Sequence, residues 1–211
     1  MISTSSNSLQ INLTCEVLRI LSKHTTLRKI QFEPDFLDAG GDYSRILPIL
    51  FKNNEILSLT IPELSLSYYN TNLIKNVRSI TTQSFSLHHV NAENNKIFTK
   101  LERLKLYKGF YANIVSSHYY NKIAPYLSNL RILIFRDVNL NESHFLTRFV
   151  NLDELVIDRC YNLTSHFLLN LQYCEKLKNF SILNSNTGFG ENEFEIIGET
   201  SIVSFKFSFN E

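Results

Sequence analysis

The sequence has few cysteines, and those few form no recognisable pattern. Cys15, Cys160 and Cys174 are an odd number, and no two of them form a CxxC pair. The disulfide framework of a small secreted domain needs an even and regularly spaced set. The N-terminal sequence MISTSSNSLQINLT also lacks the basic segment and apolar run of a secretory signal peptide. We therefore expect unpaired thiols and a cytoplasmic or nuclear protein.

Long apolar runs and an excess of one charge are missing as well. No stretch approaches the roughly 18 consecutive apolar residues of a membrane-spanning helix. Lysine and arginine total 21, against 20 aspartate and glutamate residues. This balance argues against a strong general attraction to nucleic acid or to an anionic membrane. The sequence therefore predicts neither a nucleic-acid partner nor a membrane partner.

Motifs of catalysis and cofactor binding are absent too. The chain contains no HExxH, GxSxG, P-loop or GxGxxG sequence. Gly188-Phe189-Gly190 is assigned to a loop, and the following Glu191 and Glu193 would repel a phosphate. His118, His144 and His166 each follow a serine, and successive repeats are expected to keep them apart. We predict a non-enzymatic protein with no catalytic residues, no cofactor and no metal site.

The chain does contain a repeat of short apolar triplets of the form L-x-x-L-x-L. Their second and third apolar positions are two residues apart, so they point to the same face of a strand. Only Thr82 is polar among these anchor positions, which makes the register of its repeat the weakest. The triplets are 21 to 29 residues apart, a spacing typical of leucine-rich repeats. They begin at Leu27, Ile56, Val77, Leu101, Leu130, Leu152, Leu177 and Ile202.

The segments between the triplets have the apolar spacing of helices. Helices are predicted within 13–22, 44–51, 67–75, 116–127, 142–150 and 164–174. Thr164 and Ser165 are candidate N-caps, Pro125 would end or kink its helix, and Asn170 is expected on the helix surface.

Strand and helix in alternation predict an α/β fold, a right-handed leucine-rich-repeat solenoid of horseshoe shape. Its parallel sheet lines the concave side, and its helices lie on the convex side. Residues 1–26 are predicted to form an N-terminal capping helix region, and residues 27–211 about eight repeats. The last triplet, with Phe205 and Phe207, has no cap, which predicts self-association or a longer gene product.

The stretch from Asn151 to Ser185 carries a family resemblance. Cys160 closes an L-x-x-L-x-L-x-x-C pattern that begins at Leu152, and Cys174 precedes Leu177 by three residues. This is similar to the cysteine-containing leucine-rich repeats of F-box proteins, of the expanded fungal or protist kind. In that family, the residue after the strand turns the chain, and its side chain bonds the neighbouring loop. The other repeats depart from the pattern, with Asp35, Gly109, Val138 and Ser185 at the position of Cys160.

The resemblance implies a protein-interaction scaffold, the substrate-recognition part of an F-box type ubiquitin ligase adaptor. No F-box is visible before Leu27, so ubiquitin-ligase components are expected as partners only if an F-box exists in the full-length product. The alternative is a generic leucine-rich-repeat adaptor, or a regulator of a small GTPase, with no role in ubiquitin transfer.

The binding site is predicted on the concave face, at the positions that alternate with the anchors. These positions are small and polar in the early repeats and change character in the middle of the chain. Exposed isoleucines would form an apolar centre with a basic and aromatic rim, and two acidic residues would fix orientation. Such a face suits a protein segment with an acidic stretch, although β-branched residues also simply favour strands. The candidate residues are Arg103, Lys105, Tyr107, Ile132, Ile134, Arg136, Glu154 and Asp158.

Overall fold

A computed structural model gives an α/β fold in which each paired strand runs parallel to its neighbour. Apart from isolated positions, it describes residues 27–31, 55–61, 63–67, 73–88, 98–107, 123–140, 144–187, 191–198 and 200–208. The chain divides into two compact units, residues 1–101 and 102–211. Within the described part, no helix has the length and apolar character needed to cross a membrane.

The first unit holds two sets of parallel strands. Its strands are β1 (Lys29–Gln31), β2 (Ser58–Thr60), β3 (Glu63–Ser67), β4 (Ser79–Thr82) and β5 (Ser84–His88). Strand β2 pairs with both β1 and β4, and β3 pairs with β5. The β3–β5 pair was not predicted, and Ser67 ends a strand instead of starting a helix. The alternation in ELSLS and SFSLH is the period-two signal that could have revealed it.

The second unit is built on five parallel strands in chain order. They are β6 (Arg103–Tyr107), β7 (Ile132–Arg136), β8 (Glu154–Asp158), β9 (Asn179–Leu183) and β10 (Ser204–Ser208). Each pairs in register with the next, so that Leu104, Leu133, Leu155, Phe180 and Phe205 align across the sheet.

The predicted strand register is confirmed in all eight repeats. In each repeat, the strand begins two residues after the first apolar residue of the triplet. This includes the repeat with the polar anchor, where Ile80 pairs with Leu59 and Thr82 is fully buried.

In the described residues of the second unit, four helical segments have defined bounds. They are the α-helices α1 (Ser165–Leu171) and α2 (Glu191–Gly198) and the 3₁₀ helices Ala124–Tyr126 and His144–Arg148. The helix expected within 164–174 is confirmed, and Thr164 is its N-cap, although its side chain makes no capping hydrogen bond. Helix α2 begins directly after the segment that was assigned to a loop. Of the helices expected at 13–22 and 44–51, only Ile20, Pro48 and Phe51 are described, and all three are helical. Almost all of the capping region 1–26 lies outside the described residues.

The segments expected to be helical at 116–127 and 142–150 contain 3₁₀ helices in their described parts. Pro125 lies in the first turn of Ala124–Tyr126, where a missing N–H costs nothing. For the second segment, only 22 residues separate Leu130 from Leu152. A 3₁₀ helix spans about 2.0 Å per residue, against 1.5 Å in an α-helix, so a short crossover favours it.

The core of the second unit lies between the anchor face of the strands and these helical segments. Phe135 of β7 packs edge to face against Phe145, with ring centroids 5.7 Å apart. Leu155, Ile157 and Phe180 are 0% exposed. On β10, by contrast, Phe205 is only half-buried, although it stacks on Phe180 at 5.5 Å. The anchors are therefore buried as predicted, least completely on β10.

Side chains also bond successive repeats to one another outside the strands. Immediately before a triplet, Lys100 Nζ donates to Asn76 Oδ1 at 2.9 Å, and Lys176 Nζ donates to Asn151 Oδ1 at 2.6 Å. After the strand, the backbone N–H of Cys160 donates to Ser185 Oγ at 3.0 Å. Cys160 and Ser185 stand at the same position of successive repeats.

Candidate protein-binding face

The eight predicted binding residues lie on one face of strands β6, β7 and β8, which we call the strand face. The register sets them in three rows that cross the strands. The rows are Arg103–Ile132–Glu154, Lys105–Ile134–Val156 and Tyr107–Arg136–Asp158. The sequence therefore identified side chains that the fold places side by side, and Val156 joins them in the central row.

The centre of the strand face is apolar, but it is less exposed than the sequence analysis expected. Ile134 is only 9% exposed, and Ile132 is half-buried. Ile134 is flanked in its row by Lys105 and Val156, and long neighbouring side chains cover apolar surface with their stems. The expectation of two exposed isoleucines was wrong for Ile134, because strand neighbours already cover it.

At the carboxyl ends of β7 and β8, the strand face carries an ion-pair network. Arg136 Nε lies 3.1 Å from Asp158 Oδ2, an ion pair that lacks the linear geometry of a hydrogen bond. The same nitrogen is 4.0 Å from Asp137 Oδ2, and that oxygen also accepts from Arg159 Nη2 at 2.7 Å. Arg136 is therefore compensated by acidic groups of its own chain, and not a free basic rim residue as the sequence analysis expected.

Lys105 lies among cations near the apolar centre. Burial lowers the pKa of Lys105, and the positive charges of Arg136, Arg103 and Arg159 lower it further, while Asp158 opposes them. A negative group on a partner would relieve this repulsion. Together with the exposed Arg103, Lys105 forms the part of the strand face best suited to an acidic segment.

Tyr107 lies directly across from Arg136 and continues the same row to Asp158. It is half-buried, and its hydroxyl oxygen is covered. A partner would therefore contact the ring of Tyr107 more readily than its hydroxyl group.

The fold adds two charged residues that sequence reasoning missed, Asp137 and Arg159. Both directly follow a strand and have positive φ, 57° and 52°. Asp137 and Arg159 each stand seven residues after the first residue of their triplet, and this common position is the signal that could have identified them. The helix-side position Asn170 also differs from expectation. It is 4% exposed, and its Nδ2 donates to the carbonyl of His166 at 2.9 Å.

The fold places this chain in the class of α/β proteins with a parallel sheet of repeated strands. In comparisons with known proteins, no protein-family model matches the chain, and no curated protein is significantly similar to it.

Proposed function

We propose that this chain is a right-handed leucine-rich-repeat scaffold that binds a protein segment on the strand face. One observation carries the proposal. Eight residues chosen by their offset in the repeat lie side by side on three successive strands, as rows of charged, apolar and aromatic side chains.

The chemistry of the strand face supports a partner with an acidic stretch. Arg103 is exposed, and Lys105 beside it is held among other cations. Arg136, in contrast, already has Asp158 as its ion-pair partner. We place the acidic contact at Arg103 and Lys105, and the apolar contact at Ile132, Val156 and the ring of Tyr107. Glu154 and Asp158 would repel the same acidic stretch and so fix the direction in which it lies.

The test is capture of partners by the full chain with and without charge reversal on the strand face. The double variant Arg103→Glu/Lys105→Glu is expected to lose a partner that the unaltered chain retains. Raising the salt concentration should weaken the same partner, because exposed charges are screened. Captured proteins are identified by mass spectrometry and then measured one at a time as purified pairs.

A matched control is available on the helical side of the same unit. Arg148 is exposed and ends the 3₁₀ helix His144–Arg148. Arg148→Glu therefore makes the same change of charge as either single variant, Arg103→Glu or Lys105→Glu, away from the strand face. It should leave binding unchanged. Loss of the partner from the Arg148 variant, with retention by the double variant, would assign binding to the helical side and overturn the proposal.

Truncation of Tyr107 or Arg136 to alanine is expected to weaken binding by about 1–2 kcal/mol, as at other interface hot spots. Because Tyr107 is half-buried and Arg136 is ion-paired, their thermal unfolding must be measured alongside binding.

The finer proposal is that the scaffold selects substrates for an F-box type ubiquitin ligase. It is supported by the resemblance of Asn151–Ser185 and by the Ser185–Cys160 bond after the strand. Ubiquitin-ligase subunits among the proteins captured by the full-length gene product would support it. Capture of a partner that binds the strand face, without any ubiquitin-ligase subunit, would instead support a generic adaptor.

A further inference from the structure

Two of the recurring histidines meet on the helical side of the second unit. His144 begins the 3₁₀ helix His144–Arg148, and His166 is the second residue of α1. Their Nε2 atoms are 3.3 Å apart, and their rings are nearly perpendicular, with centroids separated by 4.8 Å. The expectation that successive repeats keep these histidines apart was wrong for this pair.

We propose that His144 and His166 together bind one divalent transition-metal ion through their Nε2 atoms. Zinc–imidazole bonds are about 2.0–2.1 Å long, and two such bonds at a tetrahedral angle set the nitrogens roughly 3.3 Å apart. The distance between the two Nε2 atoms has this value. Each Nε2 must offer a lone pair, so the neutral rings would carry their hydrogens on Nδ1. Imidazole nitrogen suits zinc, copper and nickel.

The backbone on both sides of the pair is fixed by buried neighbours. Phe145 and Phe167, which directly follow the two histidines, are 0% exposed. Thr147 Oγ1 donates to the His144 carbonyl at 2.8 Å, and Asn170 Nδ2 donates to the His166 carbonyl at 2.9 Å. The two imidazoles are themselves exposed, so an ion reaches them from solvent. Little rearrangement is therefore needed for binding.

The proposed site has two protein ligands, so the other ligands of the ion must come from solvent. In the parts of the chain that the structure describes, no group of three or more histidine, cysteine, aspartate or glutamate residues could hold a metal ion. Water would fill the coordination positions that the protein leaves open. Affinity should rise from Zn²⁺ to Cu²⁺, following the general order for nitrogen ligands.

The test is calorimetric titration of the metal-free full chain with zinc sulfate and, separately, with copper sulfate. One ion per chain is expected, with copper bound more tightly than zinc. His144→Gln and His166→Gln should each weaken this binding at least tenfold, and the double variant should lose little more than either single one. His24→Gln removes a histidine from the first unit and should leave binding unchanged.

A second measurement separates loss of the site from loss of the fold. Zinc should raise the melting temperature of the unaltered chain and of the His24 variant, and the increase should disappear in both site variants. Circular dichroism without metal should be the same for the unaltered chain, both single site variants and the double site variant, because both histidines are exposed. The proposal would be overturned if the titration showed no saturable binding of one ion per chain, or if binding survived both site substitutions. The pair would then be a hydrogen-bonded contact only.

Discussion

Arg159 Nη2 donates to Asp137 Oδ2 at 2.7 Å, and both residues have left-handed backbone conformation. They stand at the same position of successive repeats, directly after strands β8 and β7. Asn184, directly after β9, has the same conformation with φ of 51°. In this position, the backbone N–H donates to the last strand residue of the next repeat, as from Asp137 to Asp158 and from Arg159 to Leu183. The left-handed turn therefore aligns one repeat with the next.

Among Asp137, Arg159 and Asn184, arginine is the residue least suited to this turn, which predicts the order of stability among variants of Arg159. Asparagine visits the left-handed region readily, whereas other residues pay roughly 1–2 kcal/mol there. The ion pair that Arg159 would lose is exposed and worth about 0.2–1 kcal/mol. We expect Arg159→Asn to be at least as stable as the unaltered chain, and Arg159→Val to be less stable by about 1 kcal/mol or more. Denaturant midpoints provide the measurement.

Asn184, the third of these left-handed residues that directly follow a strand, supplies a control for the turn. Asn184→Ala should lose stability, and Asn184→Gly should lose less, because only glycine adopts positive φ without a steric cost. Equal losses for alanine and glycine, or an Arg159→Val variant as stable as Arg159→Asn, would contradict a left-handed backbone at these positions.

Ser185 is the second test of the junction between repeats. Its Oγ accepts the N–H of Cys160 at 3.0 Å and donates to the carbonyl of Leu183 at 2.9 Å, and the residue is 4% exposed. Ser185→Ala leaves the buried N–H without this acceptor, which should cost about 1–3 kcal/mol. Ser185→Cys should recover part of the loss, since Cys160 occupies the same position one repeat earlier. A cysteine variant no more stable than the alanine variant in urea unfolding would argue against the interchange.

The anchors are predicted to hold the core of the second unit. Leu155 is 0% exposed in the middle of β8, so Leu155→Ala should cost about 2–5 kcal/mol. Leu169 on α1 is 43% exposed and gives a matched control, because Leu169→Ala should cost less than about 1 kcal/mol. Guanidinium unfolding of both variants checks the difference, and similar losses would show that the strand register is wrong.

The buried thiols predict how stability depends on pH in the alkaline range. Cys160 and Cys174 are free, and burial raises the pKa of each to about 12. At Cys160, hydrogen bonds with the backbone of Val138 and Asp158 act in the opposite direction, lowering its pKa, without cancelling the effect of burial. Cys15 lies outside the described residues. The unfolded thiol has a pKa of about 8.5, so the folded state favours the protonated form.

The stabilising contribution of each thiol is therefore complete below about pH 8.5 and is lost as the pH rises through the folded value. The unaltered chain should lose stability more steeply between about pH 8.5 and 11 than Cys160→Ala or Cys174→Ala does. Comparing unfolding free energies of variant and unaltered chain at each pH isolates the thiol from the lysines and tyrosines that titrate nearby. Parallel pH curves would contradict burial of the thiols.

Much of the repeat pattern was readable from the sequence, because it depends on local regularity. Side chains two residues apart share a strand face, so the triplets predicted both the strand positions and the identity of the buried anchors, Ile30 and those from Leu59 to Ile182. The same offset rule predicted which residues would lie together on the strand face, although it did not test what they bind. The strand pair 63–67 and 84–88 lies outside the triplets, so the spacing of the triplets does not predict it.

What the tertiary structure decided are the relations between side chains of different repeats. His144 and His166 stand at the same offset from Leu130 and Leu152, and so do Arg136 and Asp158. Spacing therefore places each pair on adjacent repeats, but only the structure shows that the side chains come within contact distance. The covering of Ile134 and of Asn170 likewise depends on their neighbours in space. A strand pattern fixes which way a side chain points, but exposure, charge compensation and metal-ligand distance arise only when crossover segments set one repeat against the next.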